Sequence, residues 1–135
     1  MIFERYLWHN STLLQVVCVI FQCTDQKSGL FPSEKGCKMN RLTAIVVTYN
    51  TQDTIIPCLT SLKDHLPASS QIVVVDNCSS DKTVELIQKF IQEHSLYNVV
   101  FYALERNLGF GAGNNYAMSR HPSKFYYLHN GDAYL

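Results

Sequence analysis

A chain of 135 residues has the length of one domain, and such a chain buries roughly two-thirds of the surface its unfolded form exposes. Hydrophobic residues at 47% and charged residues at 16% exclude disorder for most of it, and eleven Lys and Arg against eleven Asp and Glu argue against a nucleic-acid partner. Five cysteines without C-x-x-C spacing suggest free thiols in a reducing cytosol rather than a disulfide framework or zinc ribbon. No apolar run reaches the ~18–20 residues that cross a bilayer, so no transmembrane segment is expected.

Residues 1–38 hold three of the five cysteines and the single Trp8. Their one apolar stretch, Leu13 to Phe21, could serve as the core of a signal peptide behind Arg5. That reading lacks a small-x-small cleavage site and has Glu4 beside the arginine. The favoured reading is a poorly ordered or non-native extension ahead of a start at Met39, with the domain proper over 39–135.

From Arg41 the pattern alternates. Thr43–Thr48, Gln71–Asp76, Asn98–Leu104 and Phe125–His129 are short apolar runs rich in β-branched or aromatic residues, as in strands buried on both faces of a parallel sheet. Between the first two, Ile55, Leu59, Leu62 and Leu66 form a helical stripe, with Asp53 or Thr54 as cap and Pro57 near the first turn. Between the second and third, Val84, Ile87 and Ile91 repeat it, with Ser79 or Ser80 as cap. A shorter helix is expected over Ala112–Ser119, closed by His121-Pro122. The sum is an α/β chain, βαβαβαβ: a Rossmann-like, mostly parallel sheet of about four strands with flanking helices.

Ligands bind beyond the carboxyl ends of such strands, and every polar cluster lies at one. These are Thr48-Tyr49-Asn50, then Asp76-Asn77-Cys78-Ser79-Ser80-Asp81, then Asn107 through Asn115, then His129-Asn130-Gly131-Asp132. Each has a bland alternative. Asn50 and the Asn130-Gly131-Asp132 triplet are good turn chemistry, Asp76 could cap a helix in an Asx-turn, and Asp81 suits the first turn of the next helix. The glycines of 109–113 could simply permit positive φ. Cys58 reads as a core residue and Cys78 as unreactive. His65, His94 and His121 read as solvated caps, while His129 alone merits testing, with a structural role favoured.

The blocks TAIVVTYN, IVVVDNCSSDKT, ERNLGFGAGNN and HNGDA, in this order, resemble the family 2 glycosyltransferases of GT-A fold from about Leu42 to Leu135. The rhamnosyltransferase-like members, with a similar N-x-G-F-x-x-x-N-N segment and N-x-D in place of D-x-D, are the most alike. The resemblance implies a nucleotide-diphospho-sugar donor. Thr48, Tyr49 and Asn50 would lie along base and ribose, Asp76 and its neighbour Asn77 at the base, and Gly109 and Gly113 in a loop that admits sugar and pyrophosphate. Asn107 and Asn115 would add polar contacts, and Asn130 would face the ribose. Asp132 would touch a divalent metal, Mg²⁺ or Mn²⁺, which neutralises the departing diphosphate as a Lewis acid.

The family's catalytic base, expected beyond Leu135, has no counterpart here. The resemblance therefore implies the N-terminal, donor-binding portion of an inverting transferase, truncated or split, with one sheet edge left uncovered. A glycan or lipid-linked acceptor would belong to the full-length protein, in the cytoplasm or peripheral to the inner face of the membrane. Two alternatives stay open. A dinucleotide (NAD)-binding oxidoreductase fragment is suggested by Gly109-Phe-Gly111-Ala-Gly113, although Asn114 stands at the third glycine position and Glu105, Arg106 and Asn107 separate the loop from its strand. A degenerate, non-catalytic binding module is the other.

Overall fold

The computed structural model describes residues 19–22 and 40–133. In chain order these form β1 (Val19–Gln22), β2 (Asn40–Thr48), α1 (Ile55–His65), β3 (Gln71–Asp76), α2 (Thr83–Glu93), β4 (Val99–Ala103), α3 (Phe110–Arg120) and β5 (Ser123–Asn130). They build one sheet of order β1-β5-β2-β3-β4. The four strands β2 to β5 are mutually parallel where they pair. The unbroken apolar runs are explained by burial on both faces. Ala44 and Val46 face the α1/α2 layer with Ile72, Val74, Ile87 and Phe90. Ile45 and Val47 point the other way, into the α3 layer with Val73, Val75, Ala117, Tyr126 and Leu128. Each such aliphatic side chain contributes about 1.5–3 kcal/mol on burial.

β1 was not expected as a strand. It overlaps the end of the Leu13–Phe21 stretch and pairs antiparallel with β5, Val19 opposite Leu128 and Gln22 opposite Phe125. It thereby covers the edge of β5 that does not pair with β2. The rest of residues 1–38, and with it the expected extension or signal peptide, lies outside the described residues, as do 134 and 135.

The starts of α1 and α2 differ from expectation: the hydroxyls of Thr54, Ser79 and Ser80 bond elsewhere, and the Asp53 side chain makes no cap bond among the described residues. Thr54 makes no side-chain cap bond; its hydroxyl donates to the Gly131 carbonyl at 3.2 Å. The first turn of α1 is instead closed by the Ile55 N–H on the Thr51 carbonyl, 2.9 Å. Ser79 and Ser80 do not cap α2; Asp81 Oδ1 accepts from the Thr83 N–H at 2.9 Å. α3 begins at Phe110, two residues before the expected Ala112, directly after Gly109 at φ +83°. That left-handed conformation favours glycine.

The connections place the site. β2-α1-β3-α2-β4 steps outward one strand at a time, whereas β4-α3-β5 returns across the sheet to the opposite side of β2. The strand order therefore reverses between β2 and β5. That crevice, at the carboxyl ends of the strands, is where open α/β sheets bind ligands.

Candidate functional site

The parallel register levels the strand ends. Thr48 stands opposite Asp76, Val47 opposite Asn130, and Asp76 opposite Ala103. With strands ~4.8 Å apart, the backbones at Asp76 and Asn130 flank Thr48 at a separation of about 10 Å.

On the β3 side, two loops are laced together. Asn50, in the left-handed region at φ +51°, accepts on Oδ1 from the Ser80 N–H at 2.9 Å. Its own N–H donates to Ser79 Oγ at 2.8 Å. The Thr51 N–H donates to Thr83 Oγ1 at 2.8 Å, and the Gln52 N–H to Asp81 Oδ2 at 3.2 Å. Desolvation opposes the Asp81 charge, yet hydrogen bonds from Thr83 and Gln52 hold its carboxyl below the usual range. Asp81 is thus a capping residue. Asp76 is buried, and its carboxylate accepts from the Ser79 N–H at 2.9 Å and from the Ser79 hydroxyl. Asp76 thus ties down the start of its own loop but does not cap α2, which begins at Thr83, and its bond reaches three residues on rather than the two of an Asx-turn. A carboxylate offers about four lone-pair sites, so capacity for a further donor remains. Tyr49 keeps half of its surface exposed above this loop, at 50%.

Asn77 and Asn107 shape the next loop. Asn77 is buried and accepts on Oδ1 from the Leu108 N–H at 3.1 Å. Asn107 accepts from the Gly109 N–H at 2.8 Å. A shallow cavity of about 350 Å³, lined by Leu104, Glu105, Arg106 and Leu108, opens beside them. Gly109 has open space where a Cβ would stand, whereas a Cβ at Gly113 would lie 3.0 and 3.2 Å from the two Val47 methyl groups. Gly113 is thus where α3 closes onto β2. Asn115 is exposed. Its neighbour Asn114, which stands where the dinucleotide pattern wants its third glycine, is buried; its amide donates to the Phe110 carbonyl at 2.9 Å. Asn114 Oδ1 has no partner among the described residues. The dinucleotide pattern is not supported by this topology. Residues 104–108 separate β4 from Gly109, and β4 and β5 lie three strands apart. That puts the end carrying Asp132 about 14 Å from the strand that feeds the glycine loop, whereas the fingerprint needs adjacent strands.

On the β5 side, the Asn130–Ala133 turn is anchored through its backbone. The Ala133 N–H donates to the Asn130 carbonyl at 3.1 Å and the Gly131 N–H to the Val47 carbonyl at 3.2 Å. Cys58 Sγ donates to the Asn130 carbonyl at 3.6 Å. A Cβ on Gly131 would sit 2.6 Å from Thr48 Oγ1 and 2.8 Å from Thr48 Cβ, so only glycine fits there. Asp132 itself is exposed. Its carboxylate makes no hydrogen bond or ion pair among the described residues. It is close enough to Cys58 to add to the effect of burial, and the two push that thiol up to about 12. His129 is fully buried, and burial holds its pKa below the ordinary value although Asp132 and the Ala133 carbonyl work against this.

Cys58 is a core residue as expected, and Cys78 is exposed. His65 and His94 are exposed near helix ends. His121 departs from the solvated-cap reading: it is half-buried, with Nε2 2.9 Å from the Tyr102 hydroxyl. No group of three or more His, Cys, Asp or Glu positioned to hold a metal occurs among the described residues. No helix among them is long and apolar enough to cross a membrane.

The family model of glycosyl transferase family 2 matches residues 43–135. The chain belongs to this family. It is 32% identical over 100 residues to the poly(ribitol-phosphate) beta-N-acetylglucosaminyltransferase TarS of Staphylococcus aureus, covering 72% of this chain and 17% of that protein. It is 28% identical over 94 residues to a teichoic acid poly(glycerol phosphate) polymerase of Staphylococcus epidermidis, covering 70% of this chain and 13% of that protein. The crystal structure of S. aureus TarS with UDP-GlcNAc superposes with a TM-score of 0.61 at 32% identity, over 70% of this chain and 27% of that one. The fold also matches the mannosyltransferase PcManGT of Pyrobaculum calidifontis, solved with GDP-Man and Mn²⁺, with a TM-score of 0.65 at 23% identity over 73% of this chain and 29% of that one. The architecture is thus the GT-A one, and the chain spans between 13% and 29% of the length of each of these relatives.

Proposed function

We propose that residues 39–135 form the donor-binding part of a glycosyltransferase, with residues 1–38 an extension that contributes β1. A nucleotide-diphospho-sugar would lie across the carboxyl ends of β2, β3 and β5. In this reading Tyr49, Thr48 and Asn50 border the base and ribose, Asp76 and Asn77 stand at the base, and Asn130 faces the ribose. Gly109 and Gly113 shape the loop beside the sugar, with Asn107 and Asn115 adding polar contacts. Asp132 would hold a Mg²⁺ or Mn²⁺ ion, which when bound supplies positive charge to the departing diphosphate. The donor set fits such an ion: a single exposed carboxylate on an anchored turn suits a hard cation that takes its other ligands from phosphates and water. The residues of this chain bind and orient the donor. The acceptor would be a glycan or lipid-linked hydroxyl of the whole protein, and transfer would be inverting. The free thiols of Cys58 and Cys78 support a cytoplasmic setting.

The observation that carries this reading is the coincidence of the strand-order reversal with an exposed acidic side chain, Asp132, held out on a backbone-anchored turn and making no hydrogen bond or ion pair among the described residues. Calorimetric titration with UDP-, dTDP- and GDP-sugars and with NADH, each with and without Mn²⁺, tests it. Binding of one nucleotide-sugar that Mn²⁺ strengthens, with the strengthening lost in Asp132→Ala, is expected. Metal-independent NADH binding, or none by any nucleotide, would overturn it.

A further inference from the structure

His129 is the polar exception in the buried run of β5, following Tyr126, Tyr127 and Leu128 with no exposed surface at all. An imidazole in that position is costly unless both ring nitrogens find partners. Both do. Nε2 lies 3.0 Å from the Ala133 carbonyl, and a carbonyl only accepts, so Nε2 carries the proton. Nδ1 is then the acceptor, and the Tyr127 hydroxyl at 3.2 Å donates to it. The ring is thereby held neutral and in one tautomer. Tyr127 and His129 are two apart on β5, on the same face of the sheet, and their rings lie 5.4 Å apart.

An aliphatic side chain would fill this site without the desolvation of two nitrogens, so the bond to Ala133 has to account for the imidazole. Ala133 immediately follows Asp132. On the other flank, the Gly131 carbonyl takes the Thr54 hydroxyl and the Gly131 N–H is held by Val47. The peptide unit before Asp132 is thus held at the Gly131 carbonyl and the one after it at the Ala133 N–H, which donates to the Asn130 carbonyl. His129 holds the next unit through the Ala133 carbonyl, the one side-chain hold on that flank among the described residues. We infer that His129 is a positioning residue: the Tyr127–His129–Ala133 chain of hydrogen bonds fixes the turn so that the Asp132 carboxylate meets a divalent cation in one orientation. This rests on the donor-site reading above.

The test uses the intact chain and whichever of UDP, GDP and dTDP binds it most tightly with Mn²⁺. His129→Leu keeps an apolar filling but removes the donor to Ala133. We expect its Mn²⁺-dependent affinity for the nucleoside diphosphate to fall about 10- to 100-fold, the range for residues that orient a metal ligand. Binding of the bare nucleoside without metal should stay unchanged. His129→Gln, whose amide can donate to the same carbonyl, should recover most of the loss. Long-range ¹H–¹⁵N spectra of the unmutated chain near pH 7 should show His129 as the Nε2–H tautomer, a readout that needs neither a variant nor a ligand.

An Nδ1–H tautomer overturns the inference. So does a His129→Leu variant that keeps its metal-dependent affinity, or one that loses nucleoside and metal-dependent binding in equal measure. Absence of any Mn²⁺-strengthened binding by the unmutated chain overturns the donor-site reading, and this inference with it.

Discussion

Two acidic stretches flank β2 at the same level of the sheet, and they are built in opposite ways. In the loop after β3 the carboxylates hold the chain itself: Asp76 takes the Ser79 N–H and hydroxyl with lone pairs to spare, and Asp81 takes the N–H groups of Thr83 and Gln52. In the turn after β5 the backbone is held by other groups instead. Val47, Thr54, Asn130 and His129 satisfy Gly131 and Ala133, and the Asp132 carboxylate is left exposed. An acid that terminates hydrogen bonds of its own chain stabilises the fold. An acid held out on an anchored turn is available to a ligand. The contrast separates residues that look alike as letters.

The sharpest way to break that contrast is to remove each acid in turn. Asp132→Ala should cut Mn²⁺-dependent nucleotide-sugar affinity by about 100-fold, which at ~1.4 kcal/mol per decade is about 2.8 kcal/mol. Its unfolding free energy should change by no more than ~0.5 kcal/mol, as for an exposed side chain. Asp76→Ala should show the reverse emphasis. It leaves the Ser79 donors without their buried acceptor, a loss of ~1–3 kcal/mol in stability, read as a lowered denaturation midpoint in urea. Equal stability losses in the two variants would erase the distinction.

Gly131→Ala probes the anchoring side directly. The added methyl carbon would fall 2.6 Å from Thr48 Oγ1 and 2.8 Å from Thr48 Cβ, so the turn or β2 has to shift. Overpacking of this kind costs about 1–3 kcal/mol, and each kcal/mol lowers the melting temperature of a domain near this size by roughly 4–8 °C. Because the displaced turn carries Asp132, metal-dependent binding should fall together with the melting temperature. By contrast, Gly111→Ala has open space around it and should leave both quantities nearly unchanged.

The strands and helical stripes were legible because burial writes itself into local periodicity: β3 is bounded as expected at Gln71 and Asp76, and Ile55, Leu59 and Leu62 are all buried. What local reading missed depends on partners far along the chain. Ser79 looked like a cap of α2, but its hydroxyl accepts from the Asn50 N–H, 29 residues earlier. Thr54 looked like a cap of α1, but its hydroxyl donates to Gly131, 77 residues later. β1 has four residues and a partner about a hundred residues away, so nothing near it announces a strand. At the rim, the order of the four blocks was readable, whereas the division between spent and spare side chains was not. Asn114 and Asn115 show why. They are adjacent letters, and only the start of α3 at Phe110, with Gly113, Asn114 and Ala117 inward, decides which is buried.

The smallest expected effect is a pH dependence that distinguishes the two sides of β2. Burial depresses the His129 pKa below its ordinary 6.5, against the opposing pull of the Ala133 carbonyl and Asp132. Below about pH 6.5 the unfolded chain therefore binds a proton that the folded chain resists. Stability contributed by the neutral ring is complete above that pH. It is lost as pH falls toward the depressed folded value, with a slope of at most ~1.4 kcal/mol per pH unit for one group. His121 is shifted in the same direction by burial and by Arg120, so the whole-protein curve contains both. Subtracting the curve of His129→Leu isolates the His129 part. Urea denaturation midpoints from pH 7.5 to 5 should fall more steeply in the unmutated chain than in that variant. If the two curves run parallel, the His129 ring protonates without leaving its place, and the Ala133 carbonyl is not held by a neutral imidazole. Asp81 supplies the control. Against desolvation, hydrogen bonds from Thr83 and Gln52 hold its carboxyl below the usual range, so the β3 side of the rim should stay intact while the β5 turn loosens.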